Sequence, residues 1–266
     1  MHVNSCGWET RFLTALLPHV IVHHPPRAGG YSVGNIFNLN NVPAFCQPLR
    51  AVLCGEDVAS CDSVRDNHKG LIVWGAPQIP FALVVLYNRG YERRMPPISP
   101  PTVQGVAYVQ GNCVAHREQA AATLSRAVNV FAYGKCRGGG NVKLRRFRRS
   151  FPALVSDPHS PYRTHAFALT MEHANQRGYC TEKAIIAAAA GAIPIYMGDS
   201  TALCELLNCD RVVLWNDSAP ALVASLMANR SEYMRMWNLP RLRVGGAQRA
   251  LKSAQSHARN SLPALY

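Results

Sequence analysis

The sequence is short of acid. Fifteen Asp and Glu stand against 28 Lys and Arg, a formal charge of +13 over 266 residues. The resulting positive field favours phosphate-bearing ligands, anionic membrane surfaces or nucleic acid, and does not choose among them. No C-x-x-C pair occurs among the nine cysteines, Cys6, Cys46, Cys54, Cys61, Cys113, Cys136, Cys180, Cys204 and Cys209. That argues against zinc and for mostly reduced thiols, although Cys204 and Cys209 are near enough to bridge in an oxidising compartment. No apolar run approaches the roughly eighteen residues that span a bilayer, since the best candidate, residues 15–22, is broken by Pro18 and His19. There is no basic n-region ahead of an apolar h-region, so neither a signal peptide nor a membrane anchor is expected. D-x-D pairs, internal repeats and metal-ligand histidine spacings are also missing, the His23-His24 pair included.

What is present is a globular profile, 48% hydrophobic and 16% charged. The length suits one large α/β domain or two compact ones. Apolar bursts at residues 19–22, 51–53, 71–74 and 106–109 read as central sheet strands. Prolines 96, 97, 100 and 101 in "YERRMPPISPP" oppose both helix and interior strand, which makes that stretch the expected domain junction. Beyond it strands and helices alternate. "GVAYVQGN", "NVFAYGKC", "HAFALTME", "AIPIYMG" and "RVVLW" read as strands; "AHREQAAATLSRAV", "TEKAIIAAAAG" and "STALCELLN" read as helices. Such alternation predicts a parallel, helix-covered sheet whose ligands bind beyond the carboxyl ends of its strands. From Arg241 the chain carries Arg241, Arg243, Arg249, Lys252 and Arg259 with no acid. It reads as a solvated, frayed tail, with a membrane-surface basic helix as the alternative. "KLRRFRR", residues 143–149, reads as a solvated loop rather than a nucleic-acid contact, because no nucleic-acid-binding motif accompanies it.

The charged pair Glu182-Lys183 enters an otherwise apolar helix. Unpaired N–H groups and the positive dipole end attract anions there, and Lys183 reinforces them. A purely local reading also holds: Thr181 caps the helix and Glu182 complements its dipole, each worth about 1 kcal/mol or less.

"FALTMEHANQRGYCTEKAIIAAAAGAIPIYMGD", residues 167–199, resembles the donor-binding signature of the α-1,3-fucosyltransferases, glycosyltransferase family ten. That pattern runs F-x-x-x-x-E-N, then G-Y-x-T-E-K, a helix, and G-x-x-P-[IV]-x-x-G. Upstream, "GNCVAHREQA" is similar to the family's N-x-x-R-E-x-F block through Asn112, Arg117 and Glu118, and "AYGKCRGGG" to its next turn. The likeness extends over residues 106–213 and in pieces over 51–97. It implies a GT-B architecture of two Rossmann-like α/β domains facing across a cleft. Residues 1–100 would bind the acceptor, 101–245 GDP-fucose, and 246–266 would form a basic tail capable of peripheral membrane contact.

The same resemblance implies inverting transfer of L-fucose from GDP-fucose to a glycan hydroxyl, of α-1,3 type. Arg117 and Lys183 would bind the diphosphate, with Asn112, Glu172, His173, Tyr179, Thr181 and Glu182 also at the donor. Glu182 either holds a hydroxyl or stabilises charge at the anomeric carbon. Glu56, in "AVLCGEDVASCDSV" where the family has G-E-N, would be the base that deprotonates the acceptor. No tightly bound metal is required, a divalent ion such as Mn serving at most as a stimulant, and no nucleic-acid partner is expected. His173 replaces the family's asparagine, Ala166 replaces its lysine, and the amino-terminal half is short. Family members lie at Golgi membranes in eukaryotes and in the cytoplasm or at the membrane periphery in bacteria. Rival readings are a related transferase using another nucleotide sugar, and a non-catalytic protein binding nucleotide or an anionic polymer.

Overall fold

The computed structural model describes residues 2–5, 10–18, 21–23, 31–35, 49–54, 58–67, 72–75, 78–145 and 153–261. The chain divides into two compact units. Met1–Arg94, Ala174–Glu182 and Val244–Tyr266 form the first; Met95–His173 and Lys183–Arg243 form the second.

The first unit contains β1 (His2–Ser5), α1 (Thr10–Leu16), β2 (Ile21–His23), β3 (Tyr31–Asn35), β4 (Leu49–Cys54), α2 (Val58–Asn67), β5 (Ile72–Gly75) and α3 (Phe81–Arg89). Its strands pair in parallel in the order β2-β1-β3-β4-β5. Two of the expected central strands, β2 and β5, therefore stand at the ends of this order. The inner positions go instead to β1 and β3, whose "HVNS" and "YSVGN" carry too few apolar residues to announce a strand. Helix α3 buries Ala82 through Tyr87, nearly its whole circumference, as its unbroken apolar text requires.

The second unit contains β6 (Val103–Gln110), α4 (Ala115–Leu124), β7 (Val130–Gly134), β8 (Lys143–Arg145), α5 (Ala153–Ser156), α6 (Pro161–Thr164), β9 (His165–Met171), α7 (Glu182–Ala190), β10 (Ile193–Met197), α8 (Ser200–Leu206), a 3-10 turn (Cys209–Arg211), β11 (Val213–Leu214), α9 (Ala219–Ala228) and α10 (Arg230–Trp237). Its sheet runs β11-β10-β9-β6-β7-β8, parallel throughout. β9 is buried at every position, which is why "HAFALTM" is almost continuously apolar instead of alternating. Because all strands point one way, β6, β9 and β10 deliver Gln110, Glu172 and Gly198 to the same end of the sheet. The basic run begins as an edge strand, not a loop: Lys143, Leu144 and Arg145 form β8. Lys143 and Arg145 sit 5.6 and 5.5 Å from the Phe131 ring, and residues 146–149 lie outside the described set.

Helix α7 is the spine of this unit. Ala184 through Ala190 are all buried, and full burial of Ile185 and Ile186 contributes about 1.5–3 kcal/mol each. At its carboxyl end two arginines take up the orphan carbonyls. Arg241 Nη1 donates to Ala188 and Ala189 O at 3.3 and 3.2 Å. Arg211, 1% exposed, donates to Gly191, Ala192 and Trp237 O at 2.9, 3.4 and 2.9 Å. Burial lowers its pKa to about 10, which leaves it charged at neutral pH. Gly191 turns the chain at φ +114°, and a Cβ there would press on Ile98 at 3.2 Å, so both conformation and space demand glycine.

Two expectations are corrected here. The segment after Gly245 is not a frayed tail but α11 (Gly246–Ser261), grouped with the first unit. Ala254 and Ala258 are 0% exposed, Gln255 Nε2 donates to Ala15 O at 2.8 Å, and the Tyr87 hydroxyl donates to Ala247 O. Small residues at helical spacing let α11 approach α1 and α3 closely, and the flanking charges hid that stripe. The cysteines are not mostly reduced either: Cys54–Cys61, Cys113–Cys136 and Cys204–Cys209 are disulfides, with Cα separations of 5.8, 5.0 and 5.3 Å. The second pairing joins residues brought together by the adjacency of β6 and β7, which spacing cannot reveal. Cys180 is buried and lies in none of these three bonds; Cys6 and Cys46 lie outside the described residues. Among the described residues no helix is long and apolar enough to cross a membrane.

Candidate active site

At the carboxyl end of the second sheet, cations gather around one buried acid. Glu172 follows β9 and is 0% exposed. Its N–H donates to Met197 O at 2.8 Å, which ties it to the end of β10. Gly198 clears the space beside it, since a Cβ there would come within 2.6 Å of Glu172 Cγ and 2.4 Å of the Tyr196 hydroxyl oxygen. Lys183, in the first turn of α7, places Nζ 3.0 Å from Glu172 Oε2. A buried carboxylate needs such a partner, because its desolvation alone would cost several kcal/mol.

The second cation arrives from α4. Arg117 is 2% exposed, and its Nε donates to Glu172 O at 3.3 Å. Its Nη1 donates to Gln110 Oε1 at 3.4 Å and Asn112 O at 3.3 Å. These acceptors are neutral, so the guanidinium charge is oriented by the site without being cancelled by it. His116 adds an Nε2–H donation to the same Glu172 carbonyl at 3.0 Å, which fixes its tautomer. Sequence reasoning missed His116 and Gln110, although both stand within seven residues of Arg117 on the same βα turn.

Glu118 has a structural task. The Tyr108 hydroxyl donates to Oε1, while the N–H groups of Arg137 and Gly138 donate to Oε2 at 3.2 and 2.7 Å. One carboxylate thus fills the amide-lined turn after β7. Burial first, and the Glu118 bond second, push the Tyr108 pKa upward and keep it protonated. Cys113, Glu118 and Cys136 bring possible metal-ligating atoms within 4.8 Å of one another, but the two sulfurs are bonded to each other and the carboxylate is already engaged.

The remaining expected site residues are distributed as follows. Asn112 is exposed on the β6–α4 turn and holds Arg117 through its backbone carbonyl, and His173 is exposed just after Glu172. Tyr179 and Thr181 are 4% and 3% exposed and belong to the segment grouped with the first unit, where Ala82 N–H donates to Cys180 O at 2.9 Å. Glu182 is half-buried at the start of α7, next to Lys183. Glu56 lies outside the described residues. The structure therefore brings together Arg117, Glu172 and Lys183, with His116 added. This arrangement can accept an anion while cancelling only one of its two strong cations internally.

Residues 101–237 match the family model described as glycosyltransferase family 10 (fucosyltransferase), C-terminal part. Among solved structures, a crystal structure of an alpha1,3-fucosyltransferase aligns with a TM-score of 0.52 at 16% identity, covering 99% of this chain and 90% of that one. An alpha1,3-fucosyltransferase with GDP-fucose gives 0.50 at 15%, covering 96% and 89%. A mutant of T4 phage BGT in complex with UDP-glucose gives 0.56 at 9%, covering 98% of each. At these identities the structures attest the fold, α/β of GT-B type, and the family model spans more than half of the sequence. The chain belongs to glycosyltransferase family 10, the fucosyltransferases.

Proposed function

We propose that this glycosyltransferase moves L-fucose from GDP-fucose to a hydroxyl of a glycan acceptor, with inversion at the anomeric carbon and an α-1,3 type of linkage. The observation that carries the reading is the convergence of Arg117 and Lys183 on Glu172, at the end of a parallel sheet where ligands bind. Departure of GDP leaves charge on its phosphate oxygens. Cations already oriented there stabilise the transition state more than the ground state, and each such contact is worth about 10²–10³ in kcat. In this reading Arg117 and Lys183 meet the diphosphate, while Glu172 keeps Lys183 in place. Asn112, His173, Tyr179 and Thr181 complete the donor contacts. Glu182 faces the sugar or ribose, and Glu56 takes the acceptor proton as its oxygen attacks.

No resident metal is needed for this scheme, because side-chain cations neutralise the leaving group. A divalent ion such as Mn would change the rate without being essential.

The test incubates pure protein with labelled GDP-fucose and an array of glycans, with and without EDTA. Stereospecific fucosylation that survives EDTA is expected, and Glu56→Gln should abolish it while GDP still binds. Turnover of a different nucleotide sugar in place of GDP-fucose would overturn the donor assignment, and an active Glu56→Gln enzyme would overturn the base.

A further inference from the structure

A cavity of about 300 Å³ lies wholly within the second unit, between α4 and the turn that leads from β11 into α9. Gln119 and Thr123 line it from α4, Met197 from the end of β10, and Trp215, Asn216 and Asp217 from the turn. None of these residues has a place in the donor chemistry above.

The chemistry of the wall narrows the ligand. In a chain of charge +13, the sole formal charge among these six side chains is an acid, Asp217, so phosphate, sulfate and carboxylate ligands are disfavoured. Gln119, Thr123 and Asn216 offer neutral donors and acceptors. Asn216 is already oriented: its Oδ1 accepts from Ser218 N–H at 2.9 Å and from the Ser218 hydroxyl at 2.7 Å, which leaves its amide NH₂ for a ligand. Trp215 is half-buried, anchored by its own N–H donating to Tyr196 O at 2.7 Å, and with Met197 it supplies apolar surface. An aromatic face beside hydroxyl-binding carboxylate and amide groups suits a ring that is apolar on its C–H face and hydroxylated at its rim. The volume is at the lower end for small-molecule pockets, about 300–1,000 Å³, and fits a ligand of one or two such rings.

We infer that this cavity seats a neutral sugar unit of the glycan acceptor, away from the reacting hydroxyl, with Trp215 beneath the ring and Asp217, Asn216 and Gln119 on its hydroxyls. Assigning that sugar to the acceptor rests on the fucosyl-transfer reading; the capacity to bind a neutral sugar does not. The cavity also touches the donor site through one side chain. His116 lines it and donates to the carbonyl of Glu172, the residue that holds Lys183.

The experiment saturates the full chain with GDP and titrates it with neutral cello-, chito- and mannotetraose, followed by saturation-transfer NMR and calorimetry. At least one tetrasaccharide is expected to bind, and Trp215→Ala and Asp217→Asn should each weaken it about tenfold while GDP affinity holds. Gln119→Ala serves as the milder variant if Trp215→Ala fails to fold. With a transferable oligosaccharide, its KM should rise about tenfold at unchanged kcat. Absence of tetrasaccharide binding to the unmodified protein, binding that survives these substitutions, or a parallel loss of GDP affinity would each overturn the site. A protein that binds the sugar as described but does not turn over GDP-fucose would instead sink the transferase reading and leave the sugar site standing.

Discussion

Lys183 Nζ and Glu172 Oε2 stand 3.0 Å apart, the lysine side chain 17% exposed and the carboxylate not at all. The pair is unequal: the lysine has a route to water and the glutamate has none. Lys183→Met, which takes the ammonium from a buried carboxylate, should therefore destabilise the protein by about 3–5 kcal/mol, and Glu172→Gln by clearly less. Urea denaturation of the two variants checks the order, and the reverse order would contradict the burial argument.

Arg117 is held by three neutral oxygens, so its substitution removes a cation without stranding an acid. Arg117→Ala is expected to lower kcat/KM for GDP-fucose about 10²–10³-fold. Arg117→Lys should rescue only part of this, because an ammonium cannot reproduce the guanidinium fork. Steady-state kinetics with both variants decide the point.

The Cys113–Cys136 bond closes a span of 23 residues and sits beside Asn112, whose carbonyl steadies Arg117. Its removal in a Cys113→Ser, Cys136→Ser variant should cost about 3 kcal/mol of stability. GDP binding should also weaken as the turn loosens. Calorimetric GDP titration of a variant that remains folded tests the second effect separately from the first.

His165 is buried, with its Nδ1–H on Pro161 O at 2.9 Å and its Nε2 accepting from the Tyr133 hydroxyl at 3.2 Å. Burial lowers its pKa from 6.5 to about 4. As pH falls, the unfolded chain takes up the proton first. Stability from this group is therefore complete above about pH 6.5 and declines toward pH 4, a total on the order of 3 kcal/mol. His165→Gln should be less stable at pH 7.5 yet flatter between pH 6.5 and 4, which denaturant midpoints across that range will show.

Much of the second unit was legible because burial writes itself into composition. β9, α7 and β10 are apolar almost without interruption, and their boundaries in "HAFALTME", "TEKAIIAAAAG" and "AIPIYMG" match the structure closely. The first unit was less legible: β1 and β3 are polar, three to five residues suffice for several of its strands, and neither periodicity nor propensity marks so brief an element. Helices α9 and α10 went unread although "APALVASLMA" and "RSEYMRMW" are ordinary helical text, because they lie past the end of the family signature. At the site, Arg117, Glu172, Lys183 and Gly198 could be picked from a pattern, but His116 and Gln110 could not. Their roles arise from the parallel register that brings β6, β9 and β10 to one end. The Cys113–Cys136 pairing was opaque for the same reason, since it follows from strand adjacency, whereas Cys204 and Cys209 were near enough in sequence to be read as able to bridge.

The division of the chain also sets an order of assembly. All of the second unit, Met95–His173 and Lys183–Arg243, leaves the ribosome before α11 does, yet α11 completes the first unit, most of which precedes the second in the chain. The first unit is thus completed only after the second, with the faces of α1 and α3 that receive the alanine stripe left uncovered until then. A chain cut before Gly246 would carry an intact second unit and an unsealed first one, and chaperone dependence should concentrate in that interval.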